Sequence, residues 1–197
     1  MLTISACTYG HTPGQFLSFV GSLLSQTDQN FICQIWHDGP SHDKDRFNEF
    51  KDILEDINEE YGNKFIWYST KQRYNDYGHT LREMGLKEAD TEFFHWTNLD
   101  NTYMPRFVEL MMKQVTEEVD LVVCNAVHNY AFGEYGLLKG YPMTNYIDFC
   151  NFIVRTDLAK AHGFPYRDFA ADGQFIDAIM PKVRKWAKIE AILSVHN

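Results

Sequence analysis

Asn98, Asp100 and Asn101 stand within four residues of one another, directly after the apolar residues Phe93, Phe94 and Trp96. A carboxylate flanked by two amide side chains is a set of oxygen donors suited to a hard divalent cation held together with nucleotide phosphates. The same residues also make an ordinary Asn/Asp turn, and on this stretch alone both readings stand. Two earlier apolar runs end in comparable chemistry. The first closes in Thr8-Tyr9, and the second is followed by His37-Asp38-Gly39-Pro40-Ser41. An acid such as Asp38 can accept hydrogen bonds from a ribose hydroxyl or a base imide, and Tyr9 can stack on a base. Each residue taken singly also fits a turn; it is their joint occurrence at three strand ends that points to a ligand.

The elements that would position these groups follow from apolar periodicity. Residues 2–8 read as a first strand, Phe16, Phe19, Val20, Leu23 and Leu24 as a helix ending near Gln26, and residues 31–36 as a second strand. Strand, helix, strand with short loops is a βαβ unit, which implies a parallel sheet. Phe47, Phe50, Ile53, Leu54 and Ile57 line one face of an amphipathic helix. A strand at 65–68, a helix at 80–87 and the strand ending at Asn98 continue the alternation. Further on come a helix at 107–115, strands at 121–124 and 151–155, a short helix at 158–161 and a longer one at 174–186. Residues 125–146, rich in Gly, Tyr and Asn, read as a loop or short-strand region lining a cleft. The expected fold is α/β, a mostly parallel central sheet flanked by helices. In such a sheet the three polar strand tips share the edge where ligands bind.

A chain of 197 residues with 45% hydrophobic and 15% aromatic residues is long enough for one globular domain, expected over 1–197. A net charge of −9 argues against a nucleic-acid partner, which needs a surplus of Lys and Arg. Cys7, Cys33, Cys124 and Cys150 are widely spaced within apolar runs, without a CxxC pair, and are expected to be buried free thiols. With no signal-peptide pattern at the amino terminus and no apolar stretch approaching a membrane span, a cytoplasmic protein is expected.

Three blocks carry a resemblance. CTYGHTPGQFLSFVGSLLSQTDQNFICQIWHDGPS resembles the opening of glycosyltransferase family 2, with its Thr-Tyr strand end, its Ser-x-x-x-Gln-Thr helix end and its Asp-Asp-Gly-Ser strand end. YGHTLREMGLKEADTEFFHWTNLDN resembles the next block, an Arg-Asn-x-Gly helix start and a strand ending in the DxD motif. NFIVRTDLAKAHGFPYRDFAADGQF resembles the third, a strand with Arg, a Gly-Phe turn and Glu-Asp-Gly. The blocks keep their order and cover most of the chain.

This resemblance implies a GT-A, Rossmann-like fold and transfer of a sugar from a nucleotide diphosphate to an acceptor hydroxyl. It implies that Asp38 holds the uracil or ribose of a UDP-sugar, such as UDP-glucose or UDP-galactose. Thr8, Tyr9, Arg82, Asn98 and Leu99 would complete the donor site. Asp100 would bind Mn2+ or Mg2+ bridging the diphosphate, and Asp172 would act as general base in an inverting reaction. His196 is the candidate for a second metal ligand, with His128 and His162 behind it. Asp172 also fits a helix N-cap, and His196 a frayed chain end. The sequence departs from the pattern at Asn98 for the first DxD acid, His37 for the first acid of Asp-Asp-Gly-Ser, Glu83 for the Asn after Arg82, and Ala171 for the Glu before Asp172. These departures motivate an alternative, a non-catalytic nucleotide-sugar or glycan-binding module on the same fold.

Overall fold

The computed structural model describes residues 1–40, 44–129 and 134–197, the side chains of 44–47 excepted. Ser41 and the Phe47 side chain, and residues 130–133 of the Tyr-rich segment, lie outside the described residues. The first half follows the expected alternation: β1 (Leu2–Thr8), α1 (Pro13–Leu24), β2 (Phe31–His37), α2 (Lys44–Tyr61), β3 (Phe65–Ser69), α3 (His79–Glu88) and β4 (Phe93–Asn98). The second half comprises β5 (Thr102–Tyr103), α4 (Phe107–Lys113), β6 (Leu121–Asn129), β7 (Tyr135–Leu138), β8 (Phe152–Arg155), α5 (Thr156–His162), α6 (Ala171–Ile179) and β9 (Trp186–His196).

One nine-stranded sheet runs in the order β3-β2-β1-β4-β8-β6-β9-β5, with β7 paired to β6. The β1–β2, β1–β4, β2–β3 and β6–β9 pairs are parallel, while β8, β5 and β7 run against their neighbours. Register places Thr8 beside His37 and Cys7 beside Asn98, so the three polar strand tips do share one edge. The chain enters α1 through a capping box in which Thr12 accepts from the Gln15 N–H while the Gln15 side chain accepts from the Thr12 N–H, with Pro13 as the first helical residue.

Alternation along β4 sends its side chains into two cores. Phe93 joins Phe16, Phe19, Phe50 and Phe107 beneath α1, α2 and α4, whereas Phe94 and Trp96 join Phe152, Phe164 and Phe175 beneath α3, α5 and α6. Trp96 is fully buried, with ring centroids of Phe94 and Phe175 each at 4.8 Å, and its Nε1 donates to the Arg82 carbonyl at 3.1 Å. That bond ties α3 to the central strand. Close approach of α3 to β1 depends on Gly85, since a Cβ there would collide with the Ser5 hydroxyl. All four cysteines are free and buried. No helix among the described residues is long and apolar enough to cross a membrane.

Two expectations are overturned near the carboxyl end. The helix predicted over 174–186 stops at Ile179, passes through a 3-10 turn (Met180–Lys182) containing Pro181, and gives way to β9. Proline lacks the N–H that a helix interior needs and its ring clashes with the preceding turn. Residues 186–196 hide their strand character because two register shifts against β6 break the alternation of apolar and polar residues. Similarly β6 does not end at Cys124 but runs to Asn129, paired with β7 on one side and β9 on the other.

Replacing Trp96 by Ala should cost about 3–5 kcal/mol, the range for emptying a buried aromatic site. A urea-unfolding comparison checks this, and a loss below about 1 kcal/mol would show that the aromatic cluster does not fix β4 and α3.

Candidate active site

Two adjoining cavities open at the shared strand edge. The smaller, of about 380 Å³, is lined among others by Thr8, Tyr9, Asp38, Arg73, Tyr77 and Asn98. The larger, of about 900 Å³, is lined among others by Arg82, Asn98, His128, Asp148, Asp172 and His196. Asn98, at the tip of β4, borders both, as does Tyr77.

In the smaller cavity Asp38 is nearly buried at 5% exposure, and its two oxygens accept from the backbone N–H groups of Tyr74 and Asn75 at 2.8 and 2.9 Å. Carboxylate oxygens have further lone pairs, so this leaves acceptor capacity toward the cavity. What the contact adds is a fixed position for the loop between β3 and α3. From that loop the Arg73 guanidinium lies 3.6 Å from the centre of the Tyr9 ring. A base stacking on Tyr9 therefore meets this guanidinium as well. Arg73 escaped the sequence reading; its one signal there is a cation between turn residues. Thr8 bonds His11 Nδ1 at 2.8 Å, which orients the turn after β1.

Arg82 joins the two cavities. It is almost fully buried, donating from Nη1 to the Tyr77 carbonyl at 2.5 Å and from Nη2 to Asn98 Oδ1 at 2.6 Å, with its guanidinium 4.4 Å from the Phe149 ring centre. Leu99 is placed differently from the expectation: its side chain is fully buried in the core beneath α1, it lines neither cavity, and its N–H bonds the Cys7 carbonyl at 3.2 Å. Leu99 follows the last residue of β4 in a turn that directs its side chain into the core.

Asp172 lies in the first turn of α6 on the wall of the larger cavity, its Oδ1 accepting from Gly173 N–H at 2.7 Å. The helix N-cap is Ala170, so Asp172 does not cap the helix. Burial, followed by repulsion from Asp148, pushes its carboxyl up to about 6. A carboxylic acid so poised in a cleft suits proton transfer near neutral pH.

Asp100 lines neither cavity but touches a wall residue of each. Its Oδ2 is 3.8 Å from His11 Nε2, its Oδ1 is buried without a hydrogen-bond partner, and its carbonyl accepts from Asn197 Nδ2 at 2.7 Å. His196, far from fraying, is the last residue of β9, beside His128 at the end of β6. Between them Asp148, absent from the sequence reading, brings Oδ1 to 3.3 Å from His196 Nδ1 and Oδ2 to 3.5 Å from His128 Nε2. Burial opposes ionisation of Asp148, but the two imidazoles outweigh it and hold the carboxyl well below its usual range. Burial likewise opposes a charge on His196, and the Asp148 carboxylate raises it overall. His162 instead bonds the Tyr166 hydroxyl at 2.8 Å and lines neither cavity.

No family model and no curated protein sequence matches the chain. Solved structures do. TarS residues 1–349 of S. aureus superpose with TM-score 0.77 at 14% identity, over 100% of this chain and 60% of that one. The same protein in complex with UDP-GlcNAc gives 0.73 at 14% identity, over 98% and 57%. The mannosyltransferase PcManGT from Pyrobaculum calidifontis, in complex with GDP-Man and Mn2+, gives 0.72 at 13% identity, over 99% and 56%. The chain thus spans about three fifths or less of the length of these structures. At this level of identity the likeness speaks for the architecture: the chain has the α/β GT-A fold of glycosyltransferases.

Proposed function

We propose that residues 1–197 form one cytoplasmic, metal-dependent glycosyltransferase domain that moves a sugar from a nucleotide diphosphate, a UDP-sugar such as UDP-glucose or UDP-galactose, to an acceptor hydroxyl with inversion. The observation that carries this reading is Asp172: a carboxyl raised to about 6, on the wall of the larger cavity that Arg82 and Asn98 also line. That structural neighbours are held with UDP-GlcNAc and with GDP-Man and Mn2+ supports a nucleotide-sugar donor.

The smaller cavity takes the nucleoside, with Asp38 accepting from the base or ribose, Thr8 and Tyr9 along its wall and Arg73 across the Tyr9 ring. Arg82 and Asn98 mark the passage through which the diphosphate leads the sugar into the larger cavity. Asp100 and His196 are the groups offered to a divalent cation, Mn2+ or Mg2+. The donor chemistry fits, because Asp100 has a buried carboxylate oxygen without a hydrogen bond and His196 presents its Nδ1 beside the Asp148 carboxylate. When bound, such an ion stabilises the negative charge that develops on the departing diphosphate. Asp172 accepts the acceptor hydroxyl's proton as that oxygen attacks the sugar, a role typically contributing about 10²–10⁴ in rate.

The departures at Asn98, His37 and Ala171 favour the second reading, a non-catalytic nucleotide-sugar or glycan-binding module. Asp172→Asn separates the two: it should lower turnover about 10²–10⁴-fold while donor binding stays unchanged. An Asp172→Asn protein as active as the wild type would remove the base, and absence of turnover in both would favour the binding module.

The raised carboxyl gives a second expectation. The base is active only when ionised, so kcat/KM of the wild type should fall about tenfold per unit as pH drops below about 6; a bound cation moves that limb lower. For stability the sign is opposite: a raised carboxyl favours the folded state while protonated, and that contribution is lost as pH rises from the ordinary carboxylate range through about 6. Asp172→Asn should abolish both dependences, and a pH–rate profile of an otherwise active protein that stays flat from pH 4 to 8 would refute the assignment.

Donor binding supplies the third check. Calorimetric titration of UDP should show binding with Mn2+ that chelator removes, and Asp100→Ala should weaken it about tenfold or more. Equal binding with metal and with chelator would exclude a bridging cation.

A further inference from the structure

Two histidines at the ends of neighbouring strands are set side by side by an irregularity in the sheet. β6 and β9 pair in parallel from Leu121 and Trp186, and register shifts at Cys124/Asn125 and Asn125/Ala126 insert extra residues into β9. The result is that His128 pairs with His196; without these shifts Leu193 would stand there. Bulges of this kind re-aim side chains and are features, not defects. The two rings lie parallel within 3°, centroids 4.3 Å apart. Asp148 closes the arrangement from the loop before β8, its side chain only 13% exposed.

We propose that His128, Asp148 and His196 form a metal site that takes one borderline first-row divalent ion, such as Mn2+, Co2+ or Zn2+, in preference to Mg2+. One ligand atom from each residue lies within 4.8 Å of the others. Two ligands on the same ion, at bond lengths of about 2.1 Å, stand about 3.0–3.4 Å apart, and the contacts from Asp148 to the two rings are 3.3 and 3.5 Å. His196 Nδ1 faces Asp148 Oδ1 at 3.3 Å, so a cation held between them would take the place of that contact. Two protonated imidazoles would repel one another in the stacked arrangement of the rings. Two imidazole nitrogens and one carboxylate favour borderline transition ions, whereas Mg2+ prefers oxygen donors and gives up its waters reluctantly. Asp100 is not among these mutually close atoms. The inference deepens the metal assignment proposed above and rests on it for the ion's use in catalysis, not for its binding.

Asp148 also has a structural duty, since its Oδ1 accepts from Cys150 N–H at 2.8 Å at the start of a 3-10 turn (Phe149–Asn151). Asp148→Asn keeps an acceptor for that bond while removing the charge, and His128→Ala alters a partly exposed strand end and leaves the turn alone. Mn2+, Zn2+ and Mg2+ are titrated singly into the full chain without nucleotide, with circular dichroism confirming the fold of each variant. One Mn2+ or Zn2+ should bind per chain, with Mg2+ at least about tenfold weaker. Asp148→Asn and His128→Ala should each weaken Mn2+ about 10–100-fold. The site is overturned if both variants bind Mn2+ like the wild type, if no ion binds without nucleotide, or if Mg2+ equals Mn2+. Ion binding lost in the variants, in a protein that turns over no nucleotide sugar, would leave this site standing and fell the transferase reading instead.

Discussion

The guanidinium of Arg82 is the point on which the site is hung. Its two terminal nitrogens bond the Tyr77 carbonyl and the Asn98 amide oxygen, its plane lies near the Phe149 ring, and the carbonyl of the same residue receives the Trp96 indole N–H. The α3 helix, the tip of β4, the loop ahead of α3 and the aromatic core are thereby fixed to one another. These hydrogen-bond partners are amide oxygens and not carboxylates, so the positive charge is positioned without being neutralised. Removing a charge from water is costly unless partners compensate. A proposed diphosphate passing this point would supply the missing counter-charge, and Arg82 also opposes, though only as a minor influence, the upward shift of Asp172.

Behind that guanidinium the aromatic packing explains one departure from the pattern that the sequence resembles, and polar contacts explain two more. Ala171 is fully buried in the same cluster as Phe164 and Phe175, where a glutamate would place a charge among rings. Glu83, standing where an Asn is usual, bonds Lys87 at 2.7 Å and Arg167 at 2.6 Å. It therefore connects α3 to the segment that leads into α6, and so to the turn that carries Asp172. His37 bonds the Gly39 carbonyl through Nδ1 at 2.7 Å, and burial lowers its basicity, so a neutral ring shapes the turn that presents Asp38. All three replacements have local structural work, and none removes a group from the walls of the two cavities.

The amino-terminal half of this arrangement was legible in the sequence, since β1, β2 and β4 are continuous apolar runs and each ends in a polar tip that parallel pairing must bring to one edge. The carboxyl-terminal half was not. Its strands β6 and β9 carry register shifts that disguise their period, and β9 follows Pro181 so closely that its first residues prolong the helical pattern of α6. The site divides in the same way. Asp38 and Asn98 could be singled out from local pattern and Asp172 from the resemblance, whereas Arg73 lies in a polar loop and Asp148 in an irregular one. Their importance comes from what reaches them across the fold: the Tyr9 ring in one case, two imidazoles from separate strands in the other. Leu99 shows the converse, for adjacency to Asn98 and Asp100 says nothing about the direction of a side chain in the turn after β4, where an apolar residue is drawn into the core.

Asn98 ties these observations together. An acid in its place would form a short ion pair with Arg82, whose Nη2 is 2.6 Å from the present amide oxygen, and would largely cancel a buried guanidinium bordering the larger cavity. The amide keeps the geometry of that bond and leaves the charge available to an anionic ligand. What the substitution takes away is one carboxylate from the strand tip, which weakens that tip as a holder of cations. The opposite wall carries the compensation, a buried carboxylate held ionised between two imidazoles. Positive charge for the proposed donor thus lies on α3 beside the tip of β4, and the proposed ligands for a cation at the ends of β6 and β9 and in the loop before β8. Because the Arg82 hydrogen-bond partners are neutral oxygens, the cleft can accept a negatively charged ligand at that guanidinium without first displacing a carboxylate from it, as the proposed donor requires.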